Sequence, residues 1–343
     1  MRRYRVRRSR EQVRGREQPH PRSTPVARVV TTSLVLLAVP FCAAAGLRLV
    51  VSGLLWTDGN RYTTALLALT PAVTLAGGLL GVLALVLRRW WIGGVVTALV
   101  VALVAVMLPR ALPADGPDTG GATVRVLSVN LFFGRVDPEA VVELVREYEV
   151  DVLTVLELHP RTATELEAAG LGELLPHQHF IPETAAAGSG IASRYPLEEL
   201  GEVGGSWFRQ PSARVRLDSA LPVEIVAVHT VPPVTRAADW RAELRALPEA
   251  TTDAPLRILS GDFNATLDHA EFRRLLGSGY ADAAGQVGKG LVPTWPLRRY
   301  LPVPLATLDH IVLDARASAR EVDTPDVSGG DHRAVFAEIV LPG

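Results

Sequence analysis

Three long apolar runs, almost free of charge, precede residue 110 and limit what this chain can fold into. Val29–Leu47 is apolar throughout, and Arg48 interrupts before Leu49–Trp56. Tyr62–Leu87 is a second run, ended by Arg88-Arg89, and Trp90–Leu108 a third, ended by Pro109-Arg110. About 20 apolar residues cover the hydrocarbon core of a bilayer as a helix. Pro40 and Gly46 are tolerable within such a span. Trp56, Trp90 and Trp91 stand at the ends of the runs, where interfacial aromatics belong. The pattern predicts three transmembrane helices within residues 29–108. A cleaved signal peptide would be one shorter run. The hydrophobic share of 48% and mean hydropathy of +0.22 are high for a soluble chain, and the excess sits in this stretch.

Residues 1–28 carry ten arginines and few apolar residues, so they form a basic tail with too little apolar surface to order itself. In front of an apolar run such a tail holds the N-terminus on the cytoplasmic side. A nucleic-acid arm is the competing reading, disfavoured by the flanking spans. With three spans, everything after Pro109 lies outside the cytoplasm, in a multi-pass protein of the cell membrane. Residues 109–122, rich in Pro, Gly and Asp, read as a linker. The formal charge of −1 conceals a split, +10 through residue 120 and −11 from residue 121 onward. Cys42, the single cysteine, excludes a disulfide framework and a cysteine metal site. Lys289 is the one lysine, a compositional bias without functional weight.

From Thr123 the pattern turns to short apolar strands alternating with amphipathic helices. Strands are expected at Val124–Leu131, Val152–Leu158, Gln178–Pro182, Gly190–Tyr195, Ala213–Leu217, Val223–His229, Leu256–Asp262, Leu308–Leu313 and Ala334–Leu341. Asp137-Pro138 caps a helix with one apolar stripe (Val141, Leu144, Val145, Tyr148), and Thr162–Ala169 and Arg236–Leu247 are expected helices. Together they predict an α/β domain over 123–343, two packed sheets flanked by helices.

The chemistry concentrates at strand ends. Leu256–Asp262 reads as a buried strand entering a turn at Gly261, with Asp262 and Asn264 projecting from one side. Gly, Asp and Asn are also ordinary turn residues, so the stretch alone does not decide. Other apolar strands end at Asn130, Glu157 and His229, and Asp309-His310 and Asp331-His332 follow the same logic. A lone carboxylate after a strand is usually just solvated. Five such ends are harder to dismiss. His177 and His179 alternate on a strand but read as structural, and His159 and His310 as local hydrogen-bond partners. Trp295, Arg298, Arg299 and Tyr300 form an apolar-basic loop, either plain surface or a lip for a lipid phosphate.

Val129-Asn130, Leu156-Glu157, His229, Gly261-Asp262-Phe263-Asn264, Leu308-Asp309-His310 and Gly330-Asp331-His332, in this order, resemble the endonuclease/exonuclease/phosphatase superfamily over roughly Thr123–Leu341. The resemblance implies a four-layer α/β sandwich with a divalent metal, Mg²⁺ or Mn²⁺, at one end of the sheets. It implies that Glu157 holds the metal with Asn130 beside it, and that Asp331 completes the shell. It assigns Asp262 to the attacking water, Asn264 to phosphoryl oxygens, and His332 to the phosphate. Asp309 then orients His332, and His229 is the candidate proton donor to the leaving oxygen. Two departures are Leu156, where many members have glutamine, and Gly330, where serine is common.

Fold does not decide substrate within this superfamily. An acidic domain without a basic stripe is poorly suited to nucleic acid. The spans followed by this domain also resemble membrane-anchored actinobacterial members linked to teicoplanin resistance. That likeness implies a phosphohydrolase acting at the bilayer on an envelope lipid such as a polyprenyl pyrophosphate, with no protein partner implied. An extracytoplasmic DNase or phosphodiesterase, and a non-enzymatic membrane module, stay open as alternatives.

Overall fold

The structure, a computed structural model, describes residues 25–343 except 115, 118, 218, 220, 254 and 298–302. The basic tail before Pro25 and the Arg298–Leu301 part of the apolar-basic loop lie outside the described residues. Helix α1 (Pro25–Gly46) continues through a π-helical stretch, Leu47–Ser52. Helices α2 (Arg61–Ala68) and α3 (Thr70–Val86) follow, then α4 (Trp90–Met107). Pro25–Ser52 and Trp90–Ala111 are each long and apolar enough to cross a membrane, whereas α2 and α3 meet at a bend of 67°. The second expected span is therefore a bent pair. Pro71 explains the break, because its ring lacks the N–H owed to the Leu67 carbonyl and collides with it. The Thr70 hydroxyl donates to that carbonyl at 2.7 Å instead. Asn60 starts α2 with a capping box, its Oδ1 accepting from Tyr62 and Thr63 N–H while Thr63 Oγ1 accepts from Asn60 N–H. Gly77 lets α3 lie against the Phe41 ring, where any Cβ would collide. Leu36, Leu37, Leu75, Leu79, Val86 and Trp91 remain exposed on the outer faces of this bundle.

The remaining chain forms two six-stranded sheets. The first contains β1 (Thr123–Asn130), β2 (Val152–Leu156), β3 (His177–Ile181) and β4 (Ser189–Ser193), and helices α5 (Pro138–Glu147), α6 (Pro160–Ala168) and α7 (Leu171–Leu174) cover it. The second contains β5 (Leu197–Glu202), β6 (Pro211–Val215), β7 (Val223–His229), β8 (Leu256–Asp262), β9 (Tyr280–Asp282) and β10 (Asp309–Asp314). Helices α8 (Pro233–Ala246) and α9 (Ala270–Gly277) cover that sheet, and α10 (Ala283–Gln286) leads toward β10. Strands β11 (Ser318–Asp323) and β12 (Val335–Val340) return to the first sheet, giving the order β11-β12-β1-β2-β4-β3 beside β5-β6-β7-β8-β10-β9. Each sheet holds one parallel pair, β1 with β2 and β7 with β8, among antiparallel neighbours.

Side chains alternate along a strand, so sequence parity decides which layer each residue enters. Val124, Val126, Val152, Leu156, Ile225, Ile258, Ile311 and Leu313 fill the space between the sheets. Leu127, Val129, Leu153 and Val155 face α5, α6 and α7, and Val226, Val228, Leu259 and Val312 face α8 and α9. Thr154 and Ser260 meet across the inner layer at 2.8 Å. β8 does not turn at Gly261, as expected from sequence, but runs through it to Asp262. Gly261 has φ +154°, and a Cβ there would collide with the Val228 carbonyl of β7, so the glycine permits strand approach rather than a turn.

The apolar helices and the two-sheet body share a buried polar seam. Arg48 Nε and Arg110 Nη2 both reach Asp268 Oδ1, at 2.5 and 2.7 Å. Asp58 accepts from the Ala270 and Glu271 N–H groups at the start of α9, at 2.6 and 3.0 Å. His269 Nε2 lies 2.9 Å from the Thr64 carbonyl of α2, and Arg241 donates to Gly59 O at 2.8 Å. Burial alone would push the Asp268 carboxyl up, but Arg110 and Arg48 outweigh it and hold it below the usual value. A depressed folded pKa contributes stability above the unfolded carboxyl value of about 3.9, lost as pH falls through the lower folded value. Asp268→Asn leaves buried Arg48 and part-buried Arg110 short of a counter-charge. The expected cost is about 3–5 kcal/mol, read as a lower unfolding temperature in detergent at neutral pH, with the gap from wild type closing as both are acidified well below pH 4.

Candidate active site

Asn130, His229, Asp262 and Asp309 all have inner-layer parity and stand at one end of the sandwich. Register brings three of them side by side, since Asp262 pairs with His229 across the parallel β7–β8 ladder and with Asp309 across the antiparallel β8–β10 ladder. Ligands of open α/β sheets gather at the carboxyl ends of parallel strands, and the β1, β2, β7 and β8 ends converge here. Glu157 follows Leu156 with the parity of the outer layer. A left-handed backbone, φ +55°, turns it inward instead. Phe132, Phe133 and Asn264 are also left-handed, so four non-glycine residues near the site carry this conformation. The Phe132 and Phe133 N–H groups donate to Asn130 Oδ1 at 2.9 Å and Glu157 Oε2 at 2.7 Å, which holds both side chains in place.

Asn130 Nδ2 spans the two sheets, 3.3 Å from Glu157 Oε1 and 3.4 Å from Asp262 Oδ2. His332 Nδ1 donates to Asp309 Oδ2 at 2.8 Å, leaving Nε2 3.9 Å from Asp262 Oδ2. Asn264 N–H donates to Asp262 Oδ1 at 2.8 Å, and its Nδ2 donates to the Thr230 carbonyl at 2.9 Å. His229 Nε2 is 4.0 Å from Glu157 Oε1, and its ring stacks on Phe208 with centroids 4.5 Å apart. Asp331 is buried beside them, close enough to oppose ionisation of Glu157 and to favour the charged form of His332. All eight residues singled out in the sequence are therefore gathered at one end of the two sheets.

The charges do not balance. Burial pushes Glu157 up, against the pull of the Phe133 N–H and His332. Burial and then the repulsion of Asp309 push Asp262 up. His332 is raised in spite of burial by Asp309, then by Asp262 and Asp331, so it carries a proton. His229 goes the other way, to about 3, through burial and then the nearby charge of His332. A neutral imidazole there offers a hydrogen bond but no spare proton. One imidazolium thus faces four carboxyl groups. This excess of hard oxygen donors fits a divalent cation, and the Asp262 and Asp309 carboxylates and the His332 ring bring atoms within 4.8 Å of one another.

Several features escaped the sequence. Phe208 and, at the α2 bend, Ala65, Ala68 and Leu69 share one cavity of about 490 Å³ with Glu157, His229, Asp262, Asn264 and His332; Trp295 of the apolar-basic loop lines it too. Glu243 of α8 accepts from the N–H groups of Trp207 and Val231, each at 2.7 Å, and so fixes the segments on both sides of His229. β5, β9, β11 and α9 were also missed, being short or exposed. His310 is structural, pairing with Asp282 at 2.9 Å between Phe263 and Phe272. His159 caps α6, and His179 meets Glu199 at 3.2 Å.

Two packed mixed sheets with carboxylates and imidazoles converging at one end define a metal-dependent phosphoesterase. Residues 127–332 match the Endonuclease/Exonuclease/phosphatase family, and the chain belongs to that family. Its reaction class is metal-dependent hydrolysis of phosphoester bonds. The fold is similar to that of an endonuclease/exonuclease/phosphatase from Beutenbergia cavernae, with 19% identity over 64% of this chain and 72% of that one, TM-score 0.52. A family protein from Leptotrichia buccalis matches at 15% identity over 63% of this chain and 99% of its own, TM-score 0.50. D. rerio TDP2, complexed with single strand DNA product, matches at 16% identity over 64% and 99%, TM-score 0.50. No curated protein matches the chain.

His332→Ala is expected to lower kcat/KM on any phosphoester it hydrolyses by about 10²–10⁴-fold, with the far-UV circular dichroism unchanged. Glu157→Gln is expected to weaken Mg²⁺ binding in calorimetry while conserving volume; wild-type affinity in that variant would remove Glu157 from the metal set.

Proposed function

We propose that this chain is a membrane-anchored phosphohydrolase acting outside the cytoplasm on a phosphate ester or pyrophosphate of an envelope lipid, with Mg²⁺ or Mn²⁺ as its metal. The observation that carries this reading is the seam between the apolar helices and the catalytic body, where Asp268 and Asp58 tie the two into one unit. The charge of −11 over 121–343 argues against a long polyanion as substrate. The three apolar runs, with a bent middle one, support an N-terminus inside and a catalytic domain outside. The likeness to glycopeptide-resistance proteins noted above fits an envelope substrate.

Glu157, Asn130 and Asp331 would hold the metal, which supplies positive charge against the phosphoryl oxygens. Asp262 orients the attacking water and accepts its proton. The Asn264 amide and the charged His332 bind phosphoryl oxygens, strengthening as charge develops there. Asp309 accepts from His332 Nδ1 and so orients the ring and supports its charge, with Nε2–H left to face the substrate. Neutral His229 contacts the leaving side. The sequence resemblance assigns His229 the proton for the leaving oxygen, and burial favours its uncharged ring before substrate binds.

Purified full-length protein with Mg²⁺ is expected to release phosphate from polyprenyl pyrophosphate and leave plasmid DNA intact. Turnover of DNA alone would replace the lipid reading with a nuclease. Topology has a separate check, since an enzyme reporter fused after Gly343 is expected to be active outside the cell, and activity confined to the cytoplasm reverses the orientation.

A further inference from the structure

We propose that the α2 end of the catalytic cavity is a binding site for the aliphatic tail of the substrate, formed by Ala65, Ala68, Leu69 and Val234; this rests on the phosphohydrolase reading above. The cavity of about 490 Å³ is continuous from the carboxylate–imidazole cluster to α2, and its size is ordinary for a small-molecule site. Its two ends differ in chemistry. Glu157, Asp262, Asn264 and His332 line one end with Phe208 and Trp295 against the imidazoles, whereas the wall toward α2 is Ala65, Ala68, Leu69 and Val234, with Thr64 and His269 its polar members. A small hydrophilic phosphate would use only the first. A phosphate carrying an alkyl or prenyl chain uses both.

Three observations make α2 a built wall. Ala65 and Ala68 lie three apart on one helix face, and as alanines they leave room in front of them. The helix is fixed to the catalytic body by the Thr64 carbonyl on His269, itself a cavity residue, and by Arg241 on Gly59 O. At Leu69 the chain bends 67° into α3, whose outward Leu75, Leu79 and Val86 are exposed. In the proposal, a tail leaving the cavity past Leu69 continues along this apolar surface. Two separate sequence regions, one of them the middle apolar run, meet to make the site.

The test uses the full-length protein in nanodiscs, a phosphodiester series differing only in alkyl chain length, and a matching series of non-hydrolysable alkyl phosphonates. Wild-type kcat/KM is expected to rise at least tenfold from the two-carbon to the long-chain ester. Ala68→Trp, which fills the wall, is expected to reduce the long-to-short ratio at least tenfold, and Ala68→Ser to retain most of it. Because the readout is a ratio within one preparation, a general loss of folded enzyme does not imitate it. Turnover without chain-length dependence would overturn the tail site and leave the hydrolase reading standing. If neither these esters nor polyprenyl pyrophosphate turns over, the proposed function fails, and phosphonate binding decides the site: chain-length-dependent affinity lost in Ala68→Trp supports it, and flat affinity overturns it.

Discussion

Everything at the active site depends on the two-residue period of the strands. Inner-layer parity carries Val124 and Val126 into the core of the sandwich and, further along the same strand face, Asn130 into the site. The same holds for Ile225 and His229, for Ile258 and Asp262, and for Ile311 and Asp309. One set of residues thus makes the core and, where the sheets end, the site. A shift of one residue in any of these strands would send its functional side chain to the helix layer. The narrow approach of β7 and β8 at Gly261 keeps His229 and Asp262 in register at the end of their ladder.

The cost of this arrangement is electrostatic. Four carboxyl groups sit in a buried end with one imidazolium, and the carboxyls of Glu157 and Asp262 are pushed toward their neutral forms. Such a centre is stabilised by a cation it does not supply from its own side chains, which is why the geometry and the family chemistry agree. Left-handed Glu157 and Asn264 show that backbone strain is also concentrated here, held by the Phe133 and Asp262 contacts.

The polar seam relates the catalytic end to the apolar helices. Arg48, at the end of the first apolar helix, and Arg110, after the last, meet on a single carboxylate of the catalytic body, Asp268. The same body region, through His269, also holds α2 against the cavity, so the contacts that join the apolar helices to the body also shape the cavity wall. In the proposed function this sets the mouth of the site beside the bilayer.

Local pattern carried much of the outcome. Alternation placed the main strands, and polar residues closing apolar strands marked Asn130, Glu157, His229 and Asp262, because a strand end is a local event. Apolar runs marked the helices, although Pro71 broke the middle one. What only tertiary structure decided were contacts between distant segments. Arg48 and Asp268 are 220 residues apart, and no periodicity links them. Phe208 on His229, Ala68 before the active site, and the passage of β8 straight through Gly261 all required the neighbouring strand or helix to be in place. Sequence determines which face a side chain takes along its own element; only packing determines what stands opposite it.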